Sequence, residues 1–289
     1  MNRIEIRFNS KKLMLPAQVC ALLPEAGFSK SRDNYYDNSK KFKVLWLLHG
    51  ATEDYETWLN KVGLEKILQN HDVITIIPNA LNSDYANHGE FANGYYFEDF
   101  FFEELMPFVY HTFPASEDAQ DNYISGFSMG GAGALMLGLV HPEKFNGISP
   151  MGASERKADF LDPYMLLSGS EFRIFAKENR NSLPTEFGDP SIGITDKEIN
   201  MIARYPLVQD YCNSEECTGN RLDETICSSN IPEIYFCCGE NDGCCSKVID
   251  LVNKYKDNGK NKISAEILPG KNHNDARDTT IHMIKHFGL

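Results

Sequence analysis

Tyr123-Ile-Ser-Gly-Phe-Ser-Met-Gly-Gly131 is the stretch on which the reading of this chain turns. It contains G-x-S-x-G as Gly126-Phe127-Ser128-Met129-Gly130. A short apolar run, Asn122–Ser125 (NYIS), precedes it, and a pattern rich in Ala, Leu and Met, Met129–Val140, follows. Strand, sharp turn and helix in that order put a serine at a strained apex, with its hydroxyl exposed. Such a turn demands small residues on both sides, where a Cβ would strike the neighbouring strand or helix. Gly126 and Gly130 fill those places, and Gly131 and Gly133 let the helix pack close to a sheet. Ser128 is therefore the candidate nucleophile. The N–H of Met129, unpaired at a helix start and favoured by the dipole, is a candidate oxyanion donor. The competing reading, a tight Gly-rich turn with a solvated serine, loses to this context.

Working outward, four more apolar runs read as buried strands: Lys43–Leu48 (KVLWLL), Val73–Ile77 (VITII), Glu233–Cys238 (EIYFCC) and Ile263–Leu268 (ISAEIL). Runs that are apolar throughout suit a parallel sheet covered on both faces. Met1–Ser10 alternates apolar and polar, as a strand does. Helical patterns separate the runs. Glu98–Phe113 has a dense apolar face. Val248, Leu251, Val252 and Tyr255 fall at i, i+3, i+4 and i+7, with Gly259 placed to stop the helix. Ile281, Ile284 and Phe287 mark a closing amphipathic helix. This alternation predicts an α/β fold, a doubly wound, mostly parallel sheet with helices on both faces, in one domain over residues 1–289. Residues 153–231 break the rhythm with Pro163, Pro184, Pro190 and Pro206 and many polar side chains. They form an excursion, either a cap-like roof over the site or a plain connector.

A serine hydroxyl needs a histidine to take its proton, and that histidine needs a carboxylate to fix its tautomer. In a hydrolase of this architecture the chain order is Ser, then Asp or Glu, then His, each after a strand. EIYFCC ends at Gly239-Glu240-Asn241-Asp242, so Asp242 is the preferred acid and Glu240 its competitor. ISAEIL is followed by Pro269-Gly270-Lys271-Asn272-His273, so His273 is the base. His282 and His286 lie within the last helix; His71, His88, His111 and His141 lie before the acid. The loop after KVLWLL begins His49-Gly50, and by position Ala51 supplies the second oxyanion N–H. His49 reads as loop support. Trp58 is either a core aromatic or a wall of the substrate pocket. Phe91–Phe102 (FANGYYFEDFFF) could line an aromatic acyl pocket but reads more readily as core.

The bulk composition narrows the classes. A formal net charge of −13 on 289 residues, with no basic stretch, excludes a nucleic-acid partner. No apolar run reaches the ~18 residues needed to span a bilayer, and the start does not read as a secretory signal, so a cytoplasmic location is expected. Eight cysteines are present: Cys20, Cys212, Cys217, Cys227, Cys237, Cys238, Cys244 and Cys245. Their spacing is not that of a zinc site. They are expected to be reduced, buried thiols, with no metal and no cofactor. A homo-oligomer is an open option.

The pieces Leu47–Gly50 (LLHG), Gly126–Leu135 (GFSMGGAGAL), Cys238–Gly243 (CGENDG) and Pro269–His273 (PGKNH) resemble the "putative esterase" family of α/β-hydrolases. That family includes tributyrin-type esterases, S-formylglutathione hydrolases, feruloyl and acetylxylan esterases of carbohydrate esterase family 1, and the antigen 85 mycolyltransferases. Tyr95–Val109 is also similar to the family's helix before the nucleophile strand. The resemblance implies Ser128 as nucleophile, Asp242 as acid, His273 as base, and Ala51 and Met129 as oxyanion donors. It implies a serine carboxylesterase acting on short-chain or carbohydrate-linked acyl esters through an acyl-enzyme. The loop Gly270-Lys271-Asn272-His273-Asn274 departs from the G-G-H-D-W found in many members, which leaves the substrate open. S-formylglutathione is the weaker match. An acyltransferase with a sugar or lipid alcohol as acceptor shares the same triad. A non-catalytic binding scaffold is the alternative from another class.

Overall fold

The apolar runs assemble into one eight-stranded sheet in a computed structural model. It describes residues 1–25, 40–88, 94–156, 159–184, 193–227, 231–256 and 262–289. The strands are β1 (Asn2–Ser10), β2 (Leu15–Leu23), β3 (Lys43–Leu48), β4 (Val73–Pro78), β5 (Asn122–Phe127), β6 (Gly147–Met151), β7 (Glu233–Gly239) and β8 (Ile263–Leu268). Their spatial order is β1-β2-β4-β3-β5-β6-β7-β8. β2 runs antiparallel to β1 and β4, and every pairing from β4 through β3 to β8 is parallel. The mostly parallel sheet expected from the sequence is thus present.

Alternation along β3 shows why both faces are covered. Val44, Trp46 and Leu48 pack in one core and Leu45 and Leu47 in the other, all fully buried. The first core takes in Leu135 and Leu139 of the helix Met129–Val140, Val248 and Leu251 of Cys245–Lys256, and the aromatic group Phe97, Phe100 and Phe101. The second takes in Ala276, Met283 and Ile284 of Ala276–Phe287. Trp46 fills the first core and keeps its indole N–H satisfied at 3.0 Å from Asn122 Oδ1.

Two strands of this sheet escape the sequence reading. Leu15–Leu23 carries Pro16 and a mixed pattern. Gly147–Met151 (GISPM) holds Gly, Ser and Pro, which read as a turn. The ladder of β6 with β7 pairs Gly147, Ile148 and Met151 and skips Ser149 and Pro150, as a residue without an N–H requires. The helix expected over Glu98–Phe113 starts at Phe97, widens into a π-helical stretch at Phe100–Leu105 and finishes as Met106–Thr112. Within the aromatic stretch Tyr95, Phe97, Phe100 and Phe101 are core residues, while residues 91–93 lie outside the described residues. Gly259 and Pro190 also lie outside them.

Between β6 and β7 the chain leaves the sheet. It forms helices Gly169–Glu178, Asp196–Ala203, Val208–Cys212 and Thr218–Cys227. Capping boxes at Ser168/Glu171 and Thr195/Glu198 start the first two. These helices bury a core of their own, including Phe172, Ile199, Ile202 and Tyr211. No helix of the described residues is long and apolar enough to cross a membrane.

Candidate active site

The strand register brings the site together. Leu48 lies beside Gly126, Phe127 beside Met151, Met151 beside Cys237, and Gly239 beside Leu268. The carboxyl ends of β3, β5, β6, β7 and β8 are therefore level, and the loops after them converge on one edge of the sheet.

Ser128 sits between β5 and its helix at φ 55°, ψ −117°, a conformation that only surrounding packing can hold in a residue with a side chain. Packing explains the flanking glycines. A Cβ on Gly126 would lie 2.3 Å from the Gly130 carbonyl oxygen, and one on Gly130 would lie 2.2 Å from that of Leu48. The Ser128 N–H donates to Met151 O at 2.9 Å, which ties the apex to β6.

His273 Nε2 is 3.0 Å from Ser128 Oγ, and His273 Nδ1 is 2.9 Å from Asp242 Oδ2. An ionised carboxylate only accepts, so Nδ1 carries the proton and Nε2 faces the hydroxyl as an acceptor. The Asp242 side chain is 3 % exposed. Burial pushes its pKa up, but the hydrogen bond and charge of His273 and the Cys244 N–H outweigh this. They hold the carboxyl below the usual aspartate range. The bond to Asp242 raises the His273 pKa above 6.5 against the opposing effect of burial; the Asp242 charge adds to the rise. Glu240, the other carboxylate on this loop, is exposed and accepts from the Gly270 N–H at 2.8 Å instead.

The loop after β3 is fastened from beneath. His49 is fully buried, and burial lowers its pKa. Its Nε2 accepts the Ala80 N–H at 2.9 Å, so Nδ1 carries the proton and donates to Gly50 O at 2.8 Å. In a trans peptide the C=O and N–H point opposite ways. Anchoring the Gly50 carbonyl therefore turns the Ala51 N–H away from His49. Tyr85 Oη donates to His49 O at 2.8 Å, Asn82 Oδ1 accepts the Thr52 N–H at 2.7 Å, and Asn79 Oδ1 accepts that of Tyr55 at 2.8 Å. Ala51 and Met129 both line a cavity of about 230 Å³ with Ser128 and His273. Met129 opens its helix, where its N–H has no acceptor within the helix.

Trp58 is not a wall of this cavity. It is 2 % exposed and packs in the second core with Leu45 and Phe127, on the buried face of the π-helical stretch Thr57–Val62. The sequence reading missed Tyr85, Asn79 and Asn82, which brace the loop after β3, and Glu155, Arg156 and Lys197, which line the cavity. None sits in a motif; only the turn-rich run after β4 hinted at the first three. The seven cysteines whose side chains are described are buried, and no cluster able to hold a metal occurs among the described residues. Cys227 lies outside that description.

Residues 32–162 match the sequence profile of the family described as Putative esterase. An acetyl esterase of Caldicellulosiruptor saccharolyticus is 28% identical over 257 residues, 89% of this chain and 86% of that protein. The crystal structure of S-formylglutathione hydrolase FrmB from Staphylococcus aureus superposes with a TM-score of 0.71 at 20% identity, over 100% of this chain and 99% of that one. A carbohydrate esterase family 1 ferulic acid esterase from Anaeromyces mucronatus reaches 0.55 at 16% identity, over 97% and 88%. The two structures establish the fold, and the profile spans the loop after β3 and the Ser128 turn. Over residues 32–162 the chain is thus similar to this esterase family, and over its whole length it shares the fold of the two solved structures.

Proposed function

We propose that this protein is a serine carboxylesterase that cleaves short-chain or carbohydrate-linked acyl esters through a Ser128-His273-Asp242 triad. The observation that carries the reading is the unbroken chain of hydrogen bonds, 3.0 Å and 2.9 Å, linking three side chains from three separate strand ends.

Ser128 Oγ attacks the ester carbonyl carbon as its proton passes to His273 Nε2. Asp242 keeps Nδ1–H oriented and stabilises the imidazolium. The Ala51 and Met129 N–H groups hold the oxyanion. On collapse the C–O bond to the alcohol breaks, and His273 returns the proton to the leaving oxygen. Water, deprotonated by His273, then attacks the acyl-enzyme carbonyl; the acyl–Oγ bond breaks, His273 returns the proton to Ser128 Oγ, and the acid leaves. The His273 side chain is 48% exposed, which favours water over an alcohol as acceptor. The small cavity, with Ala51, Ala132 and Ala153 around Ser128, favours acetyl over feruloyl as the acyl group. The relative named an acetyl esterase supports the same choice. A cytoplasmic setting suits a chain with seven buried cysteine thiols.

A panel of p-nitrophenyl acetate, p-nitrophenyl butyrate and methyl ferulate tests this. Turnover is expected to be fastest on acetate and absent in Ser128→Ala. A folded protein that hydrolyses none of the three contradicts the reading.

A further inference from the structure

Gly50, with no Cβ to limit its backbone, is the most pliable residue of the loop after β3. Both of its polar groups are held by side chains of the same loop. His49 Nδ1 donates to its carbonyl at 2.8 Å, and its N–H donates to Glu53 Oε2 at 3.2 Å. The seat is close: a Cβ on Gly50 would lie 2.8 Å from that Glu53 oxygen and 3.6 Å from the carbonyl oxygen of Phe127, which precedes Ser128. The other Glu53 oxygen, Oε1, lies 3.5 Å from Lys61 Nζ on the π-helical stretch Thr57–Val62. The Glu53 side chain is 24% exposed, so much of its charge is shielded from water. That charge reaches the base. The Asp242 hydrogen bond does most to raise the His273 pKa, and burial opposes it. The Asp242 and Glu53 charges add to the rise, and the Lys61 charge works against it.

We propose that Glu53 is a positioning residue for the esterase reaction: its carboxylate fixes the Gly50 N–H so that the neighbouring Ala51 N–H stays aimed at the oxyanion. This rests on the esterase reading above, in which Ala51 is an oxyanion donor. Two bonds are needed because the two planar peptides that meet at Gly50 turn independently about its Cα. His49 holds the plane that carries the Ala51 N–H, and Glu53 holds the plane before it. Without Glu53 the first plane can swing and carry the second with it. A displacement of about 1 Å at a group that meets the transition state can cost ~10²-fold in rate. The same seat puts the Glu53 charge within reach of His273, with Lys61 limiting its influence. The pH dependence of the reaction therefore reports whether the carboxylate sits there in solution.

Hydrolysis of p-nitrophenyl acetate followed across pH tests this. Glu53→Ala is expected to lower kcat about tenfold on the high-pH plateau, with KM nearly unchanged. Glu53→Gln keeps an oxygen that accepts the Gly50 N–H, so it should retain at least about half of the wild-type plateau. It loses the charge, so the rising limb of its kcat/KM should move to lower pH. Lys61→Met leaves the carboxylate unopposed, so its limb should move to higher pH. A Glu53→Ala plateau within about twofold of wild type overturns the proposal. So does a Glu53→Gln plateau as low as that of Glu53→Ala, and so do limbs that stay in place in both Glu53→Gln and Lys61→Met. Should Glu53→Ala fail to fold, the other two variants still decide, because their limbs must move in opposite directions. Any of these contrary results in a protein whose wild type turns over the ester refutes the positioning role alone. Wild-type protein inert to every ester refutes the esterase reading with it.

Discussion

The strand-end loops that meet at Ser128 and the helical segment between β6 and β7 hold their side chains in place by different means. Ser128, Asp242 and His273 follow parallel strands β5, β7 and β8 of one sheet, whose register is fixed by backbone ladders. Their geometry follows from the sheet itself. Arg156 and Lys197 belong to a segment with its own small core, tied to the sheet edge through ion pairs on Asp84. The first region is held by the sheet's own register, and the second by its separate core and its ion pairs. Substitutions in the two regions should therefore differ in kind: the loops should govern kcat on every ester, and the segment should govern which ester is chosen.

The largest effect is expected at Ser128. Ser128→Ala should reduce kcat by about 10⁶-fold while leaving the thermal melt nearly unchanged, measured with p-nitrophenyl acetate and by calorimetry. Next comes Asp242→Asn, which loses the tautomer control and should cost about 10⁴-fold in kcat. It also has a pH signature. Wild-type kcat/KM should rise with pH through a pKa above 6.5, because Asp242 favours the imidazolium and the base must be neutral to act. Removing the carboxylate charge should move that limb to lower pH. The pair has a stability counterpart of its own. The raised His273 pKa contributes stability that is lost as pH rises through it, and the depressed Asp242 pKa contributes stability lost as pH falls through it. Chemical denaturation across pH should show the benefit between these two limits and its absence in Asp242→Asn.

A smaller effect is expected at Tyr85→Phe. It leaves the buried His49 carbonyl without its donor, at a cost of about 1–3 kcal/mol in stability by denaturant titration. A loosened oxyanion loop should also lower kcat, by less than the ~10²-fold expected when one donor is lost outright. The smallest is Glu240→Gln. Its exposed carboxylate braces the Gly270 N–H and does not touch His273, so kcat should stay within about twofold. A large loss there would mean that the acid had been misassigned.

Much of the first region was legible in the sequence because short-range rules govern it. G-x-S-x-G between an apolar run and an Ala/Leu-rich run marked the turn at Ser128. Runs with period-free apolarity marked five of the sheet's strands, and Asp242 and His273 followed from their places after two of them. β2 and β6 were hidden, since Pro16 and the Gly147-Ile-Ser-Pro-Met sequence mimic turns. Asp242 and Glu240 lie on one loop, and of the two it is Asp242 whose carboxylate stands 2.9 Å from His273 Nδ1. Trp58 shows the same limit from the other side, because sequence cannot tell an aromatic in a wall from one in the core. The second region was almost illegible. Asp84, Arg156 and Lys197 are separated by 72 residues at one step, and no local pattern announces an ion pair across that distance.

The central claim, that Ser128 is the nucleophile, is tested most directly by reacting the folded protein with a fluorophosphonate probe and locating the adduct by peptide mass spectrometry. The account predicts stoichiometric modification of Ser128, slowed strongly in His273→Ala and abolished in Ser128→Ala. Modification at another residue, or none at all in protein with an intact thermal transition, would contradict it.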